Sequence, residues 1–532
     1  MAEAVAAAIS SGRHLVVQAG TGTGKSLAYA VPAVLLGVKC VVSTATKALQ
    51  DQLAGKDLPF LARHLGVPFT FAVLKGRSNY LCRQRASEIA AHGEVQLDMD
   101  GLSDEVGRFG REIFSLIEWA RSSPTGDRAD LRFEPRPVVW AGVSVSSTEC
   151  PGAPKCPSGE TCFAEAARQR AEAADVIVVN THLYGAHLAS GGYLLPEHDV
   201  VVFDEAHALE DVAAASLGLE LGAGRLRAVA RLARPLVGDG EAEVVDDLES
   251  AAVRLEAASA SWQDRRVPLD LGEELGAAVT LATERVARVT AAVRRSDGDT
   301  ARKSRARQAA GHLAGDLHLA SSVPDGYVAW VEGRPTPVLR MAPVDVGSLL
   351  AEHLWGSVTA VLTSATIPPL LPDRLGIGAV NCDQLDVGSP FPYEENALLY
   401  CAAHLPDPRH PEHQAALHDE LEALLRAAGG RTLALFTSWR AMHAAADALR
   451  PRVPWTVLAQ GDLPKPALVE AFASDEKSCL FATMGYWQGI DVPGRALSMV
   501  TIDRIPFPRP DEPLLQARRE LAGPAAFRVI DL

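Results

Sequence analysis

The chain has 532 residues, enough for three or four domains, with the 48% hydrophobic and 22% charged content usual for soluble globular proteins. Its net charge of −15 excludes coating nucleic acid through bulk charge, but not a local basic channel. No apolar run reaches membrane-spanning length and no charged leader with a cleavage site opens the chain, so a cytoplasmic protein with no membrane partner is expected. In that setting eight cysteines are not a disulfide framework, and a cluster among them points to metal or catalysis.

After a first helical segment (residues 2–9), Leu15-Val16-Val17 reads as a buried strand. The turn Ala19-Gly20-Thr21-Gly22-Thr23-Gly24-Lys25-Ser26 follows, and Leu27, Val31, Val34 and Leu35 then take helical spacing. Glycines let backbone N–H groups curl round an anion, and the helix N-terminus adds its positive end. Lys25 would reach the β/γ-phosphates and the Ser26 hydroxyl would hold Mg²⁺. Ala19 stands where the usual pattern has glycine. A turn that binds nothing is the plainer reading, but strand, turn and helix in this order favour a nucleoside triphosphate.

The β-branched run that begins at Cys40 reads as a second buried strand, and its carboxyl end carries Ser43, Thr44, Thr46 and Lys47, which are candidate phosphate contacts and equally candidate helix caps. Another strand runs over 175–180. The next, Val200-Val201-Val202-Phe203, ends in Asp204-Glu205-Ala206-His207. Downstream of a phosphate loop, Asp204 is expected in the Mg²⁺ shell and Glu205 to orient and deprotonate the attacking water, with a helix cap as the competing role.

Residues 52–175 exceed one strand–helix–strand unit, so something is inserted. There Cys150, Cys156 and Cys162 fall in a Pro/Gly-rich stretch, with Cys82 upstream. Such a stretch packs poorly, and a metal would supply its folding energy. Four thiolates suit Zn²⁺ or an iron–sulfur cluster, and the spacing leaves both open. Cys40, Cys382, Cys401 and Cys479 are expected in the core.

A second insertion, residues 209–322, reads as antiparallel helices broken at 238–240 and 296–299, with a stripe of Leu275, Val279, Val286, Val289 and Val293. Arg302, Lys303, Arg305 and Arg307 suit a solvated face as well as a nucleic-acid contact. Strands return at 327–330 and 360–366. A second α/β half follows, with strands at 432–438, 478–483 and 499–503 and no second phosphate loop. Both ends read as cut.

In this order the motifs resemble the iron–sulfur, XPD-like superfamily 2 DNA helicases, and within them the bacterial DinG type. The resemblance rests on the phosphate loop, Thr44-Ala45-Thr46-Lys47-Ala48-Leu49, Asp204-Glu205-Ala206-His207, Thr363-Ser364-Ala365-Thr366 and Gln488-Gly489-Ile490-Asp491. Lys75-Gly76-Arg77-Ser78-Asn79-Tyr80-Leu81-Cys82 and Gly388-Ser389-Pro390-Phe391 add to it. It implies an α/β fold of two RecA-like P-loop motor domains, the first carrying an iron–sulfur insertion and a helical Arch insertion. The implied boundaries are 1–75, 166–208 and 326–370 for the first motor domain, 76–165 for the cluster domain, 209–325 for the Arch and 371–532 for an incomplete second motor domain.

The resemblance further implies a monomeric 5′–3′ helicase acting on single-stranded or forked DNA in replication or repair, driven by ATP and Mg²⁺. Cys82, Cys150, Cys156 and Cys162 would hold a [4Fe–4S] cluster. Thr44, Thr46 and Lys47 would contact the DNA backbone. His207, Ser364 and Thr366 would couple nucleotide to DNA, and Gln488, Gly489 and Asp491 would read the nucleotide from the second domain. An adenine-reading motif before the loop and a terminal arginine motif are not found, which implies weak hydrolysis by these residues alone. The competing function is a non-motor ATP-binding protein with a structural four-cysteine metal site that binds nucleic acid without unwinding it. A P-loop kinase or transferase is a third class, which the strands between 433 and 502 argue against.

Overall fold

The computed structural model describes residues 1–92, 103–321, 323–378, 380–487, 490, 492–506, 509 and 511–531. Gln488, Gly489 and Asp491 lie outside them. Two compact units are present, one of Met1–Pro390 with Asp511–Leu532, the other of Phe391–Pro510.

The first unit contains β1 (His14–Gln18), β2 (Cys40–Thr44), β3 (Phe71–Val73), β4 (Val176–Asn180), β5 (Val200–Asp204), β6 (Leu219–Gly222), β7 (Arg265–Val267), β8 (Tyr327–Glu332), β9 (Val338–Pro343), β10 (Thr359–Ser364) and β11 (Cys382–Asp386). Seven of these form one parallel sheet in the order β11-β1-β10-β5-β2-β4-β3. Its inner strands β1, β10, β5, β2 and β4 are nearly continuous apolar runs because both faces are covered, while the edge strand β11 is polar and largely exposed. Val16, Val41, Ile177 and Val201 enter one core, while Val17, Val42, Val178 and Val202 enter the core on the opposite face.

Strand order, not sequence order, builds the site. β10 lies between β1 and β5, so Gln18 stands level with Ser364 and Thr363 level with Asp204. The strand β3 was not anticipated: it is three residues long, half-buried and at the sheet edge, too short to show a period.

The first insertion lies between β3 and β4 and is mostly helical, with Leu81, Ile113, Leu116, Trp140 and Phe163 joining the core of one sheet face. The second packs the helices Ala223–Ala233, Ala242–Ala260, Gly272–Arg295 and Thr300–Ser321 round a core of their own. Breaks fall at both expected places, and the stripe from Leu275 to Val293 is buried. It is not helical throughout, however. β6 and β7 flank β8 and β9 in a four-stranded antiparallel sheet, order β6-β9-β8-β7. The strand expected at 327–330 therefore pairs within the insertion and not with the parallel sheet. Short strands recruited by a neighbour leave little signal of their own.

The second unit holds β12 (Thr432–Leu435), β13 (Val457–Ala459), β14 (Cys479–Ala482) and β15 (Met499–Ile502), all parallel, in the order β13-β14-β12-β15. Phe436, Cys479 and Phe481 fill one face, and Leu433, Leu435 and Leu480 the other. Of the four cysteines expected in the core, Cys40 and Cys479 are buried and Cys382 is half-buried, but Cys401 is exposed. The apolar run before it, with Leu398 and Leu399 almost fully exposed, joins no sheet among the described residues.

Candidate active site: the phosphate loop and the acidic strand end

The loop between β1 and the helix Lys25–Leu35 turns through Gly22 and Gly24, at φ of 78° and 77°, the left-handed region that favours glycine. The Thr23 hydroxyl donates to the Gly20 carbonyl at 2.8 Å, and Ala19 N–H donates to the Ser364 carbonyl at 2.9 Å, tying the loop to β10. Ala19 lies outside the left-handed region, so the position accepts a side chain where the usual pattern has glycine, and its methyl is fully buried. Gly20, Thr21, Gly22 and Thr23 form the turn itself, and Lys25 and Ser26 open the helix.

Lys25 Nζ lies 3.4 Å from Glu205 Oε1. The other oxygen of Glu205 accepts from Ser364 Oγ at 3.2 Å, and Ser364 in turn pairs with His207 Nδ1 at 2.8 Å. The hydroxyl has one proton, so His207 donates to Ser364 and Ser364 donates to Glu205. A loop lysine, the acidic pair and the far strand β10 thus form one connected network. Glu205 is held at φ 59°, a left-handed conformation that costs a residue with a Cβ about 1–3 kcal/mol. That backbone turn aims its carboxylate at Lys25.

Asp204 is buried, accepts from Tyr29 Oη at 3.2 Å and from Glu205 N–H at 3.1 Å, and has its carboxyl pushed up to about 6. Burial is the larger cause, the neighbouring Glu205 charge adds to it, and Lys25 opposes it. A buried carboxylate held by neutral donors beside the Ser26 helix end suits a divalent cation, with Ser26 as the second protein oxygen.

Two contributors were not foreseen. Tyr29 sits one turn after Lys25, and its helical spacing from a phosphate-loop lysine was the available signal. Gln18 uses both ends of its amide, donating to Asp386 at 3.0 Å and accepting from Ile367 N–H at 3.0 Å, so it fixes the chain after Thr366. Its position as the last residue of β1 was the only clue.

The remaining expected residues divide. Thr46 caps the helix Lys47–Gln52, its hydroxyl accepting from Leu49 N–H at 3.3 Å. Thr44 is buried at the end of β2 with its hydroxyl turned to the Thr46 and Val179 carbonyls, and Ser43 bonds Thr181. Lys47 opens that helix, while Thr366 is exposed beyond β10. Outside this cleft, Cys82, Cys150, Cys156 and Cys162 all line one small cavity with Leu81 and Val145. Among the described residues no group of three or more His, Cys, Asp or Glu side chains is placed to hold a single metal ion.

Comparison with known proteins agrees with this arrangement. Residues 1–91 match the DEAD/DEAH box helicase family and residues 421–526 the helicase C-terminal domain. The chain is 40% identical to the ATP-dependent helicase DinG of Mycobacterium tuberculosis, over 98% of this chain and 82% of that protein. It is 34% identical to the ATP-dependent DNA helicase YoaA of Escherichia coli, over 98% and 83%. A solved XPD helicase matches the fold with a TM-score of 0.56 at 15% identity, over 99% of this chain and 89% of that one. The two parallel-sheet units are thus RecA-like helicase domains. With an acidic strand end facing a phosphate loop, and relatives of this identity along almost its whole length, the chain belongs to the DinG/YoaA family of ATP-dependent DNA helicases.

Proposed function

We propose that this chain translocates 5′ to 3′ along single-stranded or forked DNA as a monomer, coupling ATP hydrolysis to unwinding. The observation that carries the reading is the Lys25–Glu205–Ser364–His207 network. In it the base is held by the group that meets the γ-phosphate and by Ser364, the last residue of the neighbouring strand β10. Lys25 binds the β/γ-phosphates, displacing Glu205 as it does so. Glu205, released, takes the proton of the attacking water, while Ser26 and Asp204 hold Mg²⁺. Ser364 and His207 then sense whether Glu205 is engaged, and Thr366, just after β10, relays that to the DNA side. Gln488, Gly489 and Asp491 read the nucleotide, and Thr44, Thr46 and Lys47 track the DNA backbone.

Residues 76–165 act as a cluster domain and residues 209–325 as an Arch. The four cysteines fit a [4Fe–4S] group because they share one cavity although 80 residues separate Cys82 from Cys162 in sequence. Successive turns set the last two: Cys156 N–H donates to Ala153, Gly159 N–H to Cys156 and Cys162 N–H to Gly159. A Cβ on Gly159 would meet the Ala153 carbonyl oxygen at 2.2 Å, so the loop is wound as tightly as glycine allows. A single zinc ion would draw its four sulfurs to about 3.8 Å of one another, whereas a polynuclear core spans a wider set. The group's contribution is a covalent staple for a stretch that lacks regular structure.

The test is strand displacement of duplexes with a 5′ or a 3′ single-stranded tail, with ATPase measured with and without single-stranded DNA. Unwinding only with the 5′ tail is expected, and unwinding only with the 3′ tail would overturn the polarity. Iron and sulfide analysis with visible absorbance separates the cluster from zinc.

A further inference from the structure

The segments that follow β5 and β10 meet twice. His207 bonds Ser364, the last residue of β10, at 2.8 Å. Further along, Glu210, in the first turn of the helix Leu209–Ser216, lies 2.9 Å from Nε of Arg374, which ends the helix Leu371–Arg374. The other oxygen of Glu210 lies 3.4 Å from Nε of Arg518. Glu210 and Arg518 are each 8% exposed. Neither Nε makes a hydrogen bond, so charge holds both arginines at this one carboxylate. Arg518 also donates from Nη1 to the exposed Asp211 at 2.7 Å.

Arg518 arrives from far along the chain. The polypeptide leaves the first unit after Pro390 and belongs to it again from Asp511. The helix Pro513–Ala522 is the first element after that return. Glu512 caps it, accepting from Leu515 N–H at 2.7 Å, and Ala517 enters the core of one sheet face with Leu514 packed against it. At its far end Glu520 pairs with Arg266 of β7 at 2.7 Å. A buried ion pair adds little net stability, because desolvation offsets the attraction. What it fixes is which segments stay together.

We infer, on the proposed roles of Lys25 and Glu205, that Glu210 is a positioning residue that ties the nucleotide site to the segment arriving from the second unit. When phosphate takes Lys25, Glu205 loses one of its partners. Ala206 and Leu209, between Glu205 and Glu210, are buried, so this short stretch shifts as a packed piece. Glu210 then carries the shift to Arg374 and Arg518 together. The Lys25–Glu205 contact, made or broken, is the two-state element that such coupling requires. The helix Pro513–Ala522 is its output.

The experiment measures amide hydrogen exchange of the full chain with and without Mg²⁺ and a non-hydrolysable ATP analogue, with binding followed by titration. Exchange reads local opening, and a coupled helix should change its rate about fivefold or more. The helix Ala242–Ala260, in a core of its own, is the control for general stabilisation by ligand and should not respond. Arg518→Met is the informative variant, because Glu210 keeps Arg374 and no buried charge is stranded. It should bind the analogue and lose the response of helix Pro513–Ala522. Arg518→Lys, which keeps the charge, should retain that response. A merely structural contact would loosen the helix equally with and without nucleotide. Bound analogue with a silent helix, a response shared by the control, a response that survives in Arg518→Met, or one lost equally in Arg518→Lys each overturns the inference. A chain that fails to bind the analogue overturns the roles of Lys25 and Glu205 as well, and the titration tells that failure apart from the others.

Discussion

The two ends of the seven-stranded sheet handle ionisable groups in opposite ways. At the carboxyl ends, Lys25, Glu205, Ser364 and His207 are held by one another, side chain to side chain. At the amino ends, beside Lys39, Asp199 and Val358, a broad cleft holds His187 and His198, and there a backbone group takes the Nδ1 of each ring. Leu195 N–H donates to His187 Nδ1 at 3.0 Å, while His198 Nδ1 donates to the Pro196 carbonyl at 2.8 Å and accepts at Nε2 from Tyr184. Side-chain networks can be rewired by a ligand that outbids one member. Backbone-tied imidazoles cannot. The same sheet therefore offers a switchable edge and a settled one, and the proposed chemistry lies on the switchable edge.

The sharpest way to break this contrast is Glu205→Gln, which keeps the hydrogen-bond shape and removes the proposed base. DNA-stimulated turnover should fall by about 10²–10⁴ with ATP binding retained, measured by steady-state ATPase and nucleotide titration. Unchanged turnover would show that Glu205 is only a partner of Lys25. Lys25→Ala should cost about 10²–10³ in turnover by removing a phosphate contact, and nucleotide affinity should fall with it.

On the settled edge the readout is pH. Burial, with the His198 charge second, pulls His187 from its ordinary 6.5 down to about 4. The folded protein then binds fewer protons than the unfolded chain across that window, so stability is lost as pH falls from about 6.5 to about 4 and is unaffected above it. The loss is about 3 kcal/mol from this group. His187→Gln should flatten that segment of a melting-temperature profile, and a profile as steep as before would place the sensitivity elsewhere. The smallest expected effect returns to the switchable edge. Tyr29→Phe removes one buried donor from Asp204 and should cost about 1 kcal/mol in denaturant unfolding of the first unit.

Some of this was legible from residues alone, and particular elements show why. The phosphate loop works through its own backbone, so the glycines, Lys25 and Ser26 declare themselves within one short stretch. β5 and its acidic end were equally plain, since a buried parallel strand is a continuous apolar run. β3, β6 and β7 were not, because three or four residues carry no period and pair only where a neighbour offers an edge. Cys401 follows an apolar run, yet nothing local says whether a run finds a sheet. Thr46 carried two readings, and its hydroxyl is occupied as a cap, a local bond that the sequence had already allowed.

By itself, then, the sequence determined the chemistry available to this protein: a phosphate loop, an acidic strand end, three closely spaced cysteines and a helicase's order of motifs. The first three are local patterns, and nearby residues decide them. Tertiary structure alone decided who meets whom. β10 had to enter between β1 and β5 before Ser364 could hold Glu205, and Tyr29 reaches Asp204 across 175 positions of chain. Arg85 and Arg305 face one pocket from separate insertions. Strand order and helix packing are set by burying apolar surface over the whole fold, and no short stretch carries that information.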